Sequence, residues 1–405
     1  MSDYPPIVAL ELGTTKARCV VAEIRDDDHL MILGVGECES RGIRKSEVIN
    51  LDTAISCVKI AIDNAEESAN AILKEVYLMA SGGSIQSLVN RGSIPIMSDD
   101  HEIIREDINH VIQTARNLSL SDERQILHSI CQHFYVDDQK GITNPEGMEG
   151  YKLSVDMLII HGLVGRLRNL VRAARSASVE VVNIAYGGLC AALATLTPED
   201  KHSGCMVIDL GGGTTDFIAY ADNAIATAGS LAIGGDHVTN DISSGLRISS
   251  ATAEKLKIEA GSAVVNLPQR MNKLPIPDDP GSSARVVRYG DLHTIIHARM
   301  EELFQLVRGQ VKQKDLLHRL GSGIILTGGG ANLTGVTELG EKVFGLPCRV
   351  GRPRDVSGFT SVINMPDYAA PLGLLRFAAR DVKSHASAPG IRGWIKGLLG
   401  FRSAS

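Results

Sequence analysis

Two turns in this chain carry the same chemistry at the same spacing. Glu11-Leu12-Gly13-Thr14-Thr15-Lys16 and Asp209-Leu210-Gly211-Gly212-Gly213-Thr214-Thr215 each put an acid at the end of an apolar run, then glycine, then paired threonines. Glycine lets backbone N–H groups approach an anion with no Cβ in the way. Thr14, Thr15, Thr214 and Thr215 add hydroxyl donors, and Lys16 adds a point charge suited to terminal phosphates. Glu11 and Asp209 stand where they would hold Mg²⁺ through its waters, because this cation prefers oxygen ligands and gives up water reluctantly. A third turn, Leu326-Thr327-Gly328-Gly329-Gly330-Ala331-Asn332, offers room for a nucleoside or an α-phosphate. One glycine turn alone is only a turn. Three in this order, two of them repeats with the acid in the same place, predict a phosphate-binding cleft.

Other polar groups read as structural. His128 and His133 flank Cys131, but a spacing of five puts the two imidazoles on opposite faces of a strand, which argues against a metal site. Gly234-Gly235-Asp236 reads equally as a helix cap or as a phosphate contact.

The elements that must position these turns follow from periodicity. Residues 8–23 (VALELGTTKARCVVAE) and 206–221 (MVIDLGGGTTDFIAYA) share one design, apolar strand, acid, glycine turn and second strand. That self-similarity predicts two related half-molecules facing each other. Residues 51–69 have helical spacing and precede a strand at 76–80. Residues 84–162 change texture, with a helix over 102–116 between strands, and read as an inserted module. A basic helix follows from Leu163, then a strand over 179–184 and a small-residue helix over 187–196. Residues 265–292 read as irregular, 292–313 as a helix, 324–326 as a buried strand and 381–390 as a polar linker.

Composition bounds the function. At 405 residues the chain needs more than one core. A formal net charge of -6 argues against nucleic acid as a partner, since counterion release needs a basic face. Seven scattered cysteines with no C-x-x-C pair predict reduced thiols rather than a disulfide framework or a zinc site. The first residues, MSDYPPIVAL, lack the pattern of a signal peptide, and no apolar run is long enough to span a bilayer. Contact with a membrane would have to come from the side.

The last sixteen residues, GIRGWIKGLLGFRSAS, supply that contact. Ile391, Trp394, Ile395, Leu398 and Leu399 share one helical face, with Arg392, Lys396 and Arg402 at its sides. A helix docked on the protein's own core is the competing reading. The polar stretch before the tail, the chain's single tryptophan and the flanking bases favour an anionic lipid interface.

In their order the three turns match the phosphate 1, phosphate 2 and adenosine motifs of the superfamily of actin, the heat-shock chaperone ATPases and the sugar kinases. Within it the sequence resembles the FtsA family, bacterial cell-division proteins that tie the FtsZ ring to the membrane, over nearly the whole chain. Residues 40–66 (SRGIRKSEVINLDTAISCVKIAIDNAE), residues 126–162 and the turn Asn144-Pro145-x-Gly147-x-x-Gly150 carry that resemblance. It implies an α/β, actin-like fold of two lobes with ATP and Mg²⁺ between them. The implied division is a first lobe of 1–83, 163–198 and 360–380 and an inserted subdomain of 84–162. The second lobe comprises 199–228 and 311–359, with a subdomain at 229–310. A linker at 381–390 and a tail helix at 391–405 follow. The resemblance further implies that Glu254 and Lys257 contact adenine and ribose, and that Arg299 lies near a groove for the FtsZ C-terminal tail. It also implies self-assembly into filaments, other division proteins as partners, and a peripheral place on the cytoplasmic side of the inner membrane.

Two departures matter. Glu11 stands where actin and the chaperones have Asp. Hydrolytic relatives place Glu or Gln at or near Ile184 to orient water, and the sequence around Ile184 offers no carboxylate. The expectation is therefore a nucleotide-binding protein rather than an enzyme, with slow ATPase activity at most. The rival readings are a kinase or chaperone-type ATPase of the same fold and an FtsA-like pilus-assembly protein of the PilM type.

Overall fold

A computed structural model describes residues 4–387 apart from 26–28, 266–267, 269 and 277–285. The tail residues Ile391, Arg392, Trp394, Ile395, Lys396, Leu398 and Leu399 lie outside the described residues.

Three antiparallel strands open the chain, β1 (Ile7–Leu12), β2 (Lys16–Ile24) and β3 (Leu30–Glu39). A small hairpin of β4 (Ile43–Arg44) and β5 (Glu47–Val48) follows. Helix α1 (Leu51–Ala69) begins where the Asn50 side chain accepts the N–H of Thr53, and it ends at Asn70, which takes the left-handed conformation with φ 49°. Ala54, Val58, Ala61, Ile62 and Ala65 recur at helical spacing and cover β3 and β2. β6 (Glu75–Ala80) then runs parallel to β1.

The chain now leaves to build the inserted unit from β7 (Gln86–Pro95), α2 (Arg105–Arg116), β8 (Arg124–Val136), β9 (Gln139–Ile142) and β10 (Lys152–Leu163). Its sheet, in the order β7-β10-β8-β9, has its own core around Ile103, Val111, Leu153 and Met157. The helix expected from 102 starts at Arg105, because Glu102 is held in a β-bridge to Glu149. α3 (Val164–Ser176) and β11 (Glu180–Tyr186) return to the first sheet, and α4 (Gly187–Thr195) and α5 (Pro198–Ser203) complete this pass.

β12 (Cys205–Leu210), β13 (Thr215–Ala221) and β14 (Ala224–Leu231) repeat the opening antiparallel unit in a second sheet. α6 (Gly235–Leu246), α7 (Ser250–Ala260), the hairpin β15 (Lys273–Pro275) and β16 (Val286–Arg288), and the long α8 (Tyr289–Lys312) form a subdomain beside it. β17 (Ile324–Thr327) pairs parallel to β12 as β6 does to β1, followed by α9 (Val336–Phe344) and β18 (Cys348–Val350). β19 (Val356–Ser357) crosses back to β3, and α10 (Thr360–Ile363) leads to α11 (Ala369–Ser387). The two main sheets have the orders β11-β6-β1-β2-β3-β19 and β14-β13-β12-β17-β18; the larger core joins the first sheet to one face of the second (Val207, Ile218, Ile325), and the other face of the second (Ile208, Phe217, Leu326) has its own core. The sequence repeat is thus a structural repeat.

Several expected boundaries move. The divisions at 228/229 and 310/311 fall inside β14 and α8. The return to the first lobe comes by Val356, because β19 belongs to the first sheet. The stretch from Asp381 expected as a linker is helical to Ser387. Asp381 is anchored there by Tyr77 Oη at 2.8 Å and Asn183 Nδ2 at 3.5 Å, and no glycine or proline interrupts the chain before Pro389.

Candidate functional site

A cavity of about 410 Å³ opens between the lobes, lined by the three glycine turns and by α7. Of the residues singled out in the sequence, Glu11, Gly13, Thr14, Thr15 and Lys16 line it from β1 and β2. Asp209, Gly211, Gly212, Thr214 and Thr215 line it from β12 and β13, and Gly328, Gly329 and Gly330 from the turn after β17. Glu254 and Lys257, one helical turn apart on α7, face it from the side. Gly213 stands just behind the lining. A Cβ there would be 2.4 Å from Thr14 Oγ1 and 3.0 Å from Lys45 Cα, so it sets how closely the two lobes approach. Ser46 spans the same seam, its N–H donating to Thr14 Oγ1 at 3.0 Å and its hydroxyl lying 3.1 Å from Thr214 Oγ1. At Gly328, with φ 79°, a Cβ would meet Asp209 Oδ1 at 2.2 Å, so only glycine fits this turn.

Gly234-Gly235-Asp236 is a helix start at the edge of the cavity. It braces the second phosphate turn through Gly235 N to Gly211 O at 3.0 Å and Asp236 N to Gly212 O at 2.7 Å. Lys257 Nζ donates to Glu254 Oε2 at 2.6 Å, Thr239 Oγ1 at 2.9 Å and Gly235 O at 3.2 Å, tying α7 to α6.

Three of the expected positions have surroundings that the sequence does not show. The Lys16 ammonium is bonded to Glu37 Oε2 at 2.7 Å, because both side chains emerge on the same face of adjacent strands. Arg299 is likewise taken, by Asp241 on α6 and Glu302 at 2.5 Å each. Ile184 is buried in β11 opposite Leu78 and does not line the cavity. The group that reaches the start of α4 comes instead from the other lobe: a Cβ on Gly187 would lie 2.9 Å from Asp216 Oδ2. The two histidines do not fall on opposite faces: β8 bulges at Gln132, so His128 opposite Ile160 and His133 opposite Asp156 share one face, and among the described residues no group of three His, Cys, Asp or Glu could hold a metal ion. His128 is half-buried, accepts the Tyr186 N–H at 2.9 Å and meets Phe377 edge-on, and desolvation pushes its pKa down to about 4.

Among the residues that sequence reasoning missed are Arg18 and Asp216. Both are the cross-strand partners of the acids it found, Glu11 opposite Arg18 and Asp209 opposite Asp216. Counting register back through either tight turn would have found them. Among the described residues six carboxylates line the cavity (Glu11, Asp209, Asp216, Asp236, Glu254, Asp367) against three cations (Lys16, Arg18, Lys257). Burial raises Asp209 well above the usual carboxylate range, and the charges of Asp216 and Glu11 raise it further. Burial also raises Glu11 against the opposing pull of Arg18, and it lifts Asp216 to about 6. Asp216 Oδ1 is buried with no partner. The floor of the cavity is short of positive charge.

A pH dependence follows. A carboxyl whose folded pKa lies above its ordinary value of 3.8 contributes stability that is full below about pH 4 and lost as pH rises through about 6. For Asp216 this corresponds to roughly 3 kcal/mol. Urea unfolding of the nucleotide-free protein at pH 5 and pH 7.5 should show a smaller loss of stability for Asp216→Asn than for the parent. Equal losses would mean that Asp216 ionises normally.

Two lobes built on one repeated hairpin, closed over a cavity floored by paired acids, define an actin-like cleft protein. Solved structures agree on the fold. A PilM-PilN type IV pilus biogenesis complex matches with TM-score 0.64 at 16% identity, over 93% of this chain and 98% of that one. MreB5 of Spiroplasma citri bound to ADP matches with TM-score 0.54 at 16% identity, over 95% and 98%. The family model "Cell division protein FtsA" matches residues 206–373, and "SHS2 domain inserted in FTSA" matches residues 82–161. The cell division protein FtsA of Escherichia coli (strain K12) is 31% identical, over 98% of this chain and 97% of its own length. That of Buchnera aphidicola subsp. Acyrthosiphon pisum is 36% identical, over 93% and 91%. The chain belongs to the FtsA family of cell-division proteins.

Proposed function

We propose that the cleft binds ATP with Mg²⁺, that the protein self-assembles, and that its tail ties FtsZ polymers to the cytoplasmic face of the inner membrane. The observation that carries the reading is the pair of acid–glycine–threonine hairpins facing each other across the cavity, with Glu254 and Lys257 on α7 beside it. Gly212 and Gly328 leave the backbone open, and the unpartnered Asp216 oxygen and the raised Asp209 mark a place for a cation. Among the described residues no three His, Cys, Asp or Glu side chains are grouped to ligate a metal directly. Glu11 and Asp209 would therefore hold Mg²⁺ through water. The ion would supply the positive charge that six carboxylates and a triphosphate require.

Turnover is proposed to be slow. The stretch around Ile184, where hydrolytic relatives place Glu or Gln, offers no carboxylate, and enzymes of ordinary efficiency turn over roughly 1–1000 times per second. Single-turnover hydrolysis in that range would favour the ATPase reading. The PilM likeness rests on fold alone, whereas the whole-chain relatives at 31% and 36% identity are cell-division proteins.

The partner reading places the FtsZ C-terminal tail on residues 229–310 near Arg299, a part of the molecule where α6 and α8 pack together. Arg299 is already bonded to Asp241, so an acidic peptide would have to compete with that carboxylate. Fluorescence titration with an FtsZ-tail peptide should show saturable binding that weakens in Arg299→Glu. No binding, or identical binding to both proteins, would remove the assignment.

A further inference from the structure

Arg18 has more partners than a structural ion pair needs. Its side chain is largely buried, and its guanidinium reaches Glu11 at 3.4 Å, Glu37 at 2.9 Å, and both the carboxylate (2.7 Å) and the carbonyl (2.8 Å) of Asp367. It also lies 4.6 Å from the centre of the Tyr368 ring. Tyr368 donates its hydroxyl to Glu37, and Lys16 and this hydroxyl outweigh burial to hold Glu37 at about 2. Residues 366–368 are the single 3-10 turn immediately before α11. The second lobe holds the same turn: Gly328 N and Thr327 Oγ1 donate to Pro366 O at 3.0 and 2.9 Å. The root of α11 is thus gripped by Arg18 from one lobe and by the third glycine turn from the other.

We infer that Arg18 is a latch linking occupancy of the cleft to the root of α11, the helix from which the tail departs. The charge count gives the direction. Glu11, Glu37 and Asp367 share Arg18 and Lys16, so three negative charges meet two positive ones. Glu11 has the longest contact of the three, so Arg18 neutralises it least. A cation arriving between Glu11 and Asp209 supplies the charge Glu11 lacks. The Arg18 fork then settles on Asp367 and Glu37, which hold Tyr368 and so the first turn of α11. Bound Mg²⁺–nucleotide makes α11 firmer at its root; the empty cleft leaves Arg18 divided. By reciprocity, anything that fixes α11, such as tails held side by side in an assembly, strengthens nucleotide binding by the same factor.

The inference rests on the proposed Mg²⁺–nucleotide site, and the test separates the two. Binding of a fluorescent ATP analogue with Mg²⁺ is measured first on the full chain; absence of binding sinks the site reading and the latch together. Hydrogen exchange of amides in 366–376 is then compared without ligand, with ATP plus EDTA, and with ATP plus Mg²⁺. Protection should rise about tenfold, a usual size for coupling between sites, only with Mg²⁺ present. Tyr368→Leu removes the ring and the hydroxyl without touching the cavity lining. It should bind nucleotide within about threefold of the parent and lose most of that protection. Arg18→Lys keeps the charge but not the fork, and should behave likewise for protection. If nucleotide binds and the parent's 366–376 exchange is unmoved by Mg²⁺, the latch is wrong. Undiminished protection in both variants would also overturn it. Should Tyr368→Leu fail to fold, the parent's Mg²⁺ dependence and Arg18→Lys decide the question.

Discussion

Gly212→Val should lose Mg²⁺-dependent ATP binding by roughly a hundredfold, the equivalent of about 3 kcal/mol of overpacking. A Cβ at Gly212 would stand 2.2 Å from Thr15 Oγ1 and 3.4 Å from Asp236 Oδ1, so a branched side chain fills the gap between the two phosphate turns. The second turn is braced through Asp236 N to Gly212 O, so it cannot retreat without breaking that bond. Gly309→Ala, on α8 with nothing near the added Cβ, serves as the control and should bind as the parent does. Titration with labelled ATP and Mg²⁺ measures both. Parent-like affinity in Gly212→Val would show that the phosphates do not enter between these turns.

Trp394→Glu carries the second large expected effect, on the membrane reading of the tail. Each base near an anionic surface contributes only about 1 kcal/mol, so one tail carrying Arg392, Lys396 and Arg402 binds reversibly. Linked tails exceed a single one by roughly 10² to 10⁴. A carboxylate at the centre of the apolar face weakens every tail in the array at once. Flotation with vesicles containing anionic lipid should therefore recover almost none of the variant, while its ATP binding is unchanged. Equal flotation of the two proteins would show that the tail packs on the fold. None of the helices among the described residues is long and apolar enough to cross a membrane.

The features legible in the sequence were the local ones. Helix α1 declares itself through apolar residues at helical spacing between Asn50 and Asn70, and the structure places its ends at Leu51 and Ala69. The paired hairpins were legible because strand, acid and glycine lie within sixteen residues of each other, so the repeat survives in one dimension. What escaped depended on register or distance. Asp216 joins the floor only because β13 folds back on β12 with Asp216 opposite Asp209. Arg18 meets Asp367 across 349 residues of chain, and no periodicity records that contact. Lys16 looked free because its partner Glu37 comes from the next strand, and Arg299 because Asp241 comes from another helix. The polar run from Asp381 looked like a linker, yet it caps contacts to Tyr77 and Asn183 and remains helical. Polarity marks exposure, and an exposed helix has the same composition as a linker.

Nucleotide in the cleft is proposed to promote an assembly whose many weak tails together hold a membrane. The measurement that tests it most directly is co-sedimentation of the full chain with anionic vesicles over a series of protein concentrations. Each concentration is run with ATP and Mg²⁺, with ATP and EDTA, and without nucleotide. The account predicts a steep, sigmoidal rise in the bound fraction that moves to lower protein concentration only when ATP and Mg²⁺ are both present. A shallow curve of independent sites, identical in all three conditions, would contradict it.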